Sequence, residues 1–297
     1  MPRISDAFRK CVVFAGWTDA NRSLHVGATA FIVSIQLSMP DLGSRRPPMG
    51  RFQAVYFVTA RHVIDGIRSK SAAAVSLRMN LRHSPTYECV EVPLDAWCVH
   101  EDESVDVAVA EVQESDEFAQ KFDYLTLPVN DFFLGKPSSN FSVGIGDEIY
   151  ITSLLKSHSE TNKNIPIVRV GNISAMPEER IKTEFSETKG IDAYLVEARS
   201  IRGMSGAPVF VRPTNAMGDT FLYLLGLMHG HFGTKKNSLD DSVGLDVSDE
   251  YKQWNVGIGI VVPSHYITDV LNYKPFVDSR HSLENELANR VSTKTDW

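Results

Sequence analysis

Cysteine is scarce in this chain of 297 residues: Cys11, Cys89 and Cys98 are the complete set. They form no C-x-x-C pair and have no histidines at zinc-like spacing, so a zinc module and a disulfide-stapled secreted scaffold are both excluded. Three free thiols in a reducing compartment is the expectation, with one disulfide plus a spare thiol as the alternative. Basic charge is also short. Thirty lysines and arginines face 37 acids, a net charge of −7. This argues against nucleic acid as the main partner, because phosphate binding needs a basic face. Long apolar runs are missing too. The longest, "FLYLLGLM" at 221–228, falls well short of the ~20 residues a membrane helix needs. The N-terminal stretch lacks a small-residue cleavage site, so it makes a poor signal peptide. A soluble, cytoplasmic protein without a membrane role is expected.

Helical patterns are few: "RHVIDGIRS" (61–69), "PSHYITDVLNY" (263–273), and a tail beginning at an N-capping Ser282 whose end reads as loose. What fills the chain is β-type sequence. About a dozen short runs rich in Val, Ile, Phe and Tyr, such as "LHVGATAFIVSIQ", "QAVYFVTA", "DVAVAEV", "EIYITSLL" and "NVGIGIVVP", alternate with turn-rich loops. Such a series predicts an all-β sandwich or barrel. A Pro-, Gly- and Ser-bearing break near 125–145 divides the runs into two sets of about six. The expected organisation is an N-terminal β-barrel over 1–130, a C-terminal β-barrel over 131–273 and a polar tail over 274–297. Three long polar loops, at 37–51, 155–164 and 233–255, are candidate rims of a site.

The segment "RSIRGMSGAPVF" (199–210) sets Ser205 between glycines ahead of an apolar strand. A serine nucleophile requires a base, and histidine is the side chain whose ordinary pKa suits the task. Of nine histidines, His83, His100, His158 and His281 sit in polar loops and read as solvated. His62 closes the run "AVYFVTARH", where a strand ends in small residues and turns into a short helix. Its bland alternative is a capping or packing histidine. Asp106 opens the apolar strand "DVAVAEV" and is the candidate orienting acid, with strand capping as its bland alternative.

In chain order the three are His62, Asp106 and Ser205, and here the sequence resembles the trypsin-like serine peptidases, above all the peptidase domain of the bacterial HtrA/DegP type. "TARHV" is similar to that family's histidine motif, "DVAVAEV" to its aspartate motif, and "GMSGAP" to its Gly-x-Ser-Gly-Gly motif with Ala207 replacing the last glycine. "GDEIYI", "PIVRVGNISAM", "GLMHGHFG" and "VGIGIVVPSHYITDVL" resemble later strands and the closing helix, so the likeness runs from about residue 10 to 273. It implies two six-stranded antiparallel barrels and a short C-terminal helix. It also implies a serine endopeptidase working through an acyl-enzyme, with a protein or peptide substrate. His62 would be the base, Asp106 its orienting acid and Ser205 the nucleophile. The oxyanion hole would be built along Gly203, Met204 and Ser205, from the N–H groups of Gly203 and Ser205. Gly206 is expected to let the substrate backbone approach closely. Met204 stands where zymogen-activated relatives carry an aspartate, so pairing with a newly cut N-terminus is not expected. Loop ordering at 155–164 and 198–203 is the alternative switch. No PDZ domain is expected after the last helix.

By the same resemblance the substrate pocket involves Arg199, Ser200, His229 and Gly230. For His229, packing behind the triad is the bland alternative. His229-Gly230-His231 has the spacing of a two-histidine metal element, but no third ligand accompanies it; no metal and no cofactor is expected. The reading from a different class is a catalytically silent protein of the same fold that binds extended peptides or a regulatory partner.

Overall fold

The computed structural model describes residues 4–38, 52–135, 142–154, 162–183, 186–198, 203–213, 221–234 and 254–293. The loops expected at 37–51, 155–164 and 233–255 fall largely outside them.

Alternating, β-branched sequence forms two antiparallel sheets. The first contains β1 (Val12–Thr18), β2 (Leu24–Gln36), β3 (Gln53–Thr59), β4 (Ala74–Asn80), β5 (Tyr87–Pro93), β6 (Cys98–Val99) and β7 (Ala108–Val112), in the order β5-β4-β1-β2-β3-β7-β6. An eighth strand, β8 (Leu127–Pro128), pairs with β2 in parallel. This sheet curls around a core that includes Phe14, Phe31, Phe57, Leu77 and Val109, but its ladder stays open where six closed strands were expected. Within it, a β-carbon on Gly16 of β1 would lie 1.9 Å from the His25 carbonyl oxygen, and the β1–β2 register slips there, between Ala15 and Gly16.

The second sheet closes. Its strands are β9 (Glu148–Leu154), β10 (Pro166–Ala175), β13 (Tyr194–Glu197), β14 (Pro208–Arg212), β15 (Tyr223–Thr234) and β16 (Trp254–Pro263), in the ring β10-β13-β16-β15-β14-β9. Its interior is filled by Ile149, Ile151, Ile173, Val196, Val209, Val211, Leu225 and Val261. A hairpin of β11 (Ile181–Thr183) and β12 (Ser186–Ile191) stands off the ring. It was not expected, because its strands are polar and carry no clear apolar alternation.

The helices are α1 (Ala7–Lys10), α2 (Arg61–Arg68), α3 (Asp116–Lys121), α4 (His265–Leu271) and α5 (Lys274–Thr293). The last departs most from expectation. It begins at Lys274, ahead of Ser282, and it is docked. Phe276 is 4% exposed and packs edge-on against Tyr56 of β3, with ring centroids 5.3 Å apart. Arg280 Nη1 donates to the Tyr56 hydroxyl at 3.1 Å, and Ser279 Oγ donates to Glu111 Oε1 at 2.8 Å. Leu283 and Leu287 continue the packed face. Helix α5 follows the second barrel in the chain yet clasps the first sheet.

Candidate active site

The strand β3 ends at Thr59, and extended Ala60 turns the chain directly into α2, so His62 sits in the first turn of a helix anchored on a sheet. Val63, Ile64 and Ile67 bury the inner face of that helix and hold His62 at the rim. Asp106 lies two residues before β7. The loop before it is tied down. Asp102 N–H donates to His100 Nδ1 at 3.0 Å, the Ser104 hydroxyl donates to Asp102 Oδ1 at 2.7 Å, and Glu101 N–H donates to the Tyr273 hydroxyl at 2.7 Å. His100 is therefore packed against Tyr266, its ring 5.2 Å away, where a solvated residue was expected.

Asp106 grips His62 twice. Oδ1 accepts the His62 main-chain N–H at 2.8 Å and Oδ2 lies 2.7 Å from Nδ1. Two bonds to one residue set both the position of the helix start and the plane of the ring. Burial opposes ionisation of this carboxyl, whose side chain is 6% exposed. Electrostatic attraction to His62 and the hydrogen bonds from His229 and His62 outweigh that and hold its pKa well below the usual carboxylate range. An ionised Asp106 can only accept, so the facing Nδ1 carries the proton and Nε2 of His62 is the nitrogen able to take one.

The carboxylate has a second histidine. His229 of β15, 3% exposed, places Nδ1 2.5 Å from the same Oδ2, and its ring meets that of His62 edge to face at a centroid distance of 5.5 Å. Its side chain thus bonds to the acid from behind the triad, the bland alternative for this position. The His229 carbonyl also accepts the Ser205 hydroxyl at 3.4 Å. His62, Asp106 and His229 bring three ligand-type atoms within 4.8 Å of one another. The two N···O separations are hydrogen-bond lengths, shorter than the roughly 3.3 Å edge of a tetrahedral shell with 2.0–2.1 Å bonds.

Ser205 occupies a turn shaped by two left-handed glycines, Gly203 at φ 99° and Gly206 at φ 79°. Gly206 N–H donates to the Met228 carbonyl at 2.8 Å and Ala207 N–H to that of Met204 at 2.9 Å. From the first sheet, Thr29 of β2 reaches across. Its N–H donates to the Ser205 carbonyl at 3.0 Å and its hydroxyl to the Gly203 carbonyl at 2.9 Å. A β-carbon on Gly206 would lie 2.3 Å from Thr29 O and from Thr59 Oγ1. Gly206 thus makes a close approach to the protein's own β2 and β3. Met204, 1% exposed, packs in the core of the closed barrel.

Thr29 escaped sequence reasoning. The available signal was Thr29 itself, a hydroxyl inside the apolar run of β2, which must find a partner once buried. Arg199 and Ser200 lie outside the described residues, as does the side chain of His231. Gly230, beside His229, has open space where a β-carbon would stand.

The sheet orders and the placing of the motifs define a trypsin-like two-barrel fold. No family model and no curated protein sequence matches the chain. Solved structures do. The Rv3671c protease of M. tuberculosis in its active form is 15% identical, with a TM-score of 0.45, over 89% of this chain and 81% of that one. The thermostable serine protease AL20 from an extremophilic microorganism is 10% identical, with a TM-score of 0.42, over 90% and 100%. Human heparin binding protein is 9% identical, with a TM-score of 0.46, over 91% and 95%. Among the described residues no helix is long and apolar enough to cross a membrane.

Proposed function

We propose that the protein is a serine endopeptidase in which His62, Asp106 and Ser205 form the triad. The observation that carries this reading is the double hold of Asp106 on His62, through main-chain N–H and Nδ1, at 2.8 and 2.7 Å. That arrangement presents Nε2 as the base. Ser205 Oγ would attack the scissile carbonyl as its proton passes to Nε2, and the resulting imidazolium would be balanced by Asp106. The proton would then go to the leaving amine, and water would repeat the sequence to release the acyl group. Main-chain N–H groups of Gly203 and Ser205, on either side of Met204, would receive the oxyanion, each such donor being worth about 3 kcal/mol in comparable sites. The pocket would lie between residues 199–200 and Gly230.

Labelling by a fluorophosphonate probe tests the reading. The wild-type protein is expected to label and to cleave peptides, while Ser205→Ala and His62→Ala do neither. A folded wild-type protein that stays unlabelled would leave the peptide-binding reading; labelling retained in Ser205→Ala would place the nucleophile elsewhere.

A further inference from the structure

Asp106 Oδ2 is shared. His62 approaches it at 2.7 Å from the first sheet and His229 at 2.5 Å from β15 of the closed barrel. We propose that His229 is a positioning residue: its Nδ1–H pins the Asp106 carboxylate, and through it fixes the ring plane and tautomer of His62. The reaction described above is presupposed, but the positioning itself is a statement about three side chains.

Three observations support it. First, His229 is 3% exposed and Asp106 6%, so neither has water as an adequate alternative partner. An N–H lost here leaves a buried acceptor under-satisfied. Second, Oδ1 is already engaged by the His62 main chain, so a carboxylate released by His229 could pivot about that bond and swing Oδ2 away from Nδ1. Third, the His229 main-chain carbonyl faces the Ser205 hydroxyl at 3.4 Å. One residue therefore touches the acid with its side chain and the nucleophile with its backbone, and couples their positions across the interface between the two sheets. The titratable groups acting on Asp106 among the described residues are His62 of α2 and His229 of β15.

Side-chain geometry supplies a discriminating series. The Nδ2 of asparagine and the Nδ1 of histidine are both two bonds from Cβ, so His229→Asn keeps a donor in place while shrinking the side chain. His229→Gln moves the donor one bond further out. His229→Leu keeps the volume and removes the donor. If only packing mattered, Leu and Gln would serve better than Asn.

The expected result is that Leu and Gln lower kcat on the order of 100-fold with KM little changed, as a misplaced catalytic group does, and that Asn recovers at least tenfold of the loss. Thermal unfolding identifies any variant that has merely failed to fold, and the comparison is then made among the folded ones. A second readout does not depend on hydrolysis. Imidazole nitrogen NMR of the full chain should show protonated Nδ1 on both His62 and His229. The His62 signals should shift in His229→Leu and return in His229→Asn. A folded His229→Leu protein with unaltered His62 signals, or full activity in that variant, would overturn the proposal. A wild-type protein that shows the paired Nδ1–H pattern but takes no fluorophosphonate would remove the peptidase reading and leave the positioning role standing.

Discussion

Thr29 in β2 of the first sheet holds Ser205 in the turn of the second: the Thr29 N–H donates to the Ser205 carbonyl at 3.0 Å. The same residue donates its hydroxyl to the Gly203 carbonyl at 2.9 Å, and its own carbonyl receives the Thr59 hydroxyl at 2.9 Å. The end of β3 and the turn before β14 are thereby locked to one residue.

Replacing Thr29 by Val keeps the shape of the side chain and the main-chain bond but strands the buried Gly203 carbonyl. A cost of about 1–3 kcal/mol is expected from that loss. Acylation of Ser205 by the fluorophosphonate probe should slow as well, since Gly203 carries one of the proposed oxyanion donors. Denaturant melts together with labelling rates check both effects; a Thr29→Val protein as stable as wild type would show the hydroxyl to be dispensable.

Gly206→Ala should be far more damaging than its single methyl suggests. The residue sits at φ 79° and the new carbon would lie 2.3 Å from two oxygens on backbone-anchored elements. Left-handed strain costs on the order of 1–3 kcal/mol, and overpacking costs roughly as much again. Gly66→Ala in α2 is the matched control. Nothing stands within 4 Å of a β-carbon there, and alanine should stabilise the helix by up to about 1 kcal/mol. Unfolding midpoints of the two variants should move in opposite directions.

Asp106→Asn should leave the fold largely in place while cutting turnover by on the order of 10⁴, the size expected when the wrong imidazole tautomer is held. It should also change acid stability. The Asp106 carboxyl is depressed in the folded protein, so the unfolded chain binds the extra proton more readily. Its stabilising contribution is present above the unfolded pKa of about 4 and is lost as pH falls below it. Urea melts from pH 6 downward should show wild type losing stability below about pH 4 more steeply than Asp106→Asn; parallel curves would count against a depressed carboxyl.

Phe276→Ala tests the docking of α5. Removing a ring that is 4% exposed and packed against Tyr56 should cost about 3–5 kcal/mol. Because this contact lies away from the triad, turnover per folded molecule should survive below the lowered melting temperature. Calorimetry paired with active-site titration separates the two quantities.

What could be read from the chain was what local pattern encodes. Alternating runs foretold the β-strands, and small residues at a strand end followed by "RHVIDGIRS" foretold the turn that carries His62. The ordered motifs brought His62 and Asp106 forward as partners, and the structure sets them 2.7 Å apart. The β11–β12 hairpin and the early start of α5 were not legible, because their sequences are polar or only sparsely apolar. What stabilises α5 is the ring of Tyr56, some 220 positions away.

By itself the sequence determined the all-β character and the two sets of strands, since these depend on periodicity and short-range turn chemistry, while the candidate triad rested on a resemblance of ordered motifs. Tertiary structure alone decided that Asp106 serves two histidines, that Thr29 clamps the Ser205 turn, and that Gly206 is glycine for the sake of β2 and β3. The contacts that decide them join residues from 123 to 177 positions apart. Nothing in a local pattern records which buried donors and acceptors will meet. Only closing the two sheets against each other leaves those groups without water and obliges them to pair.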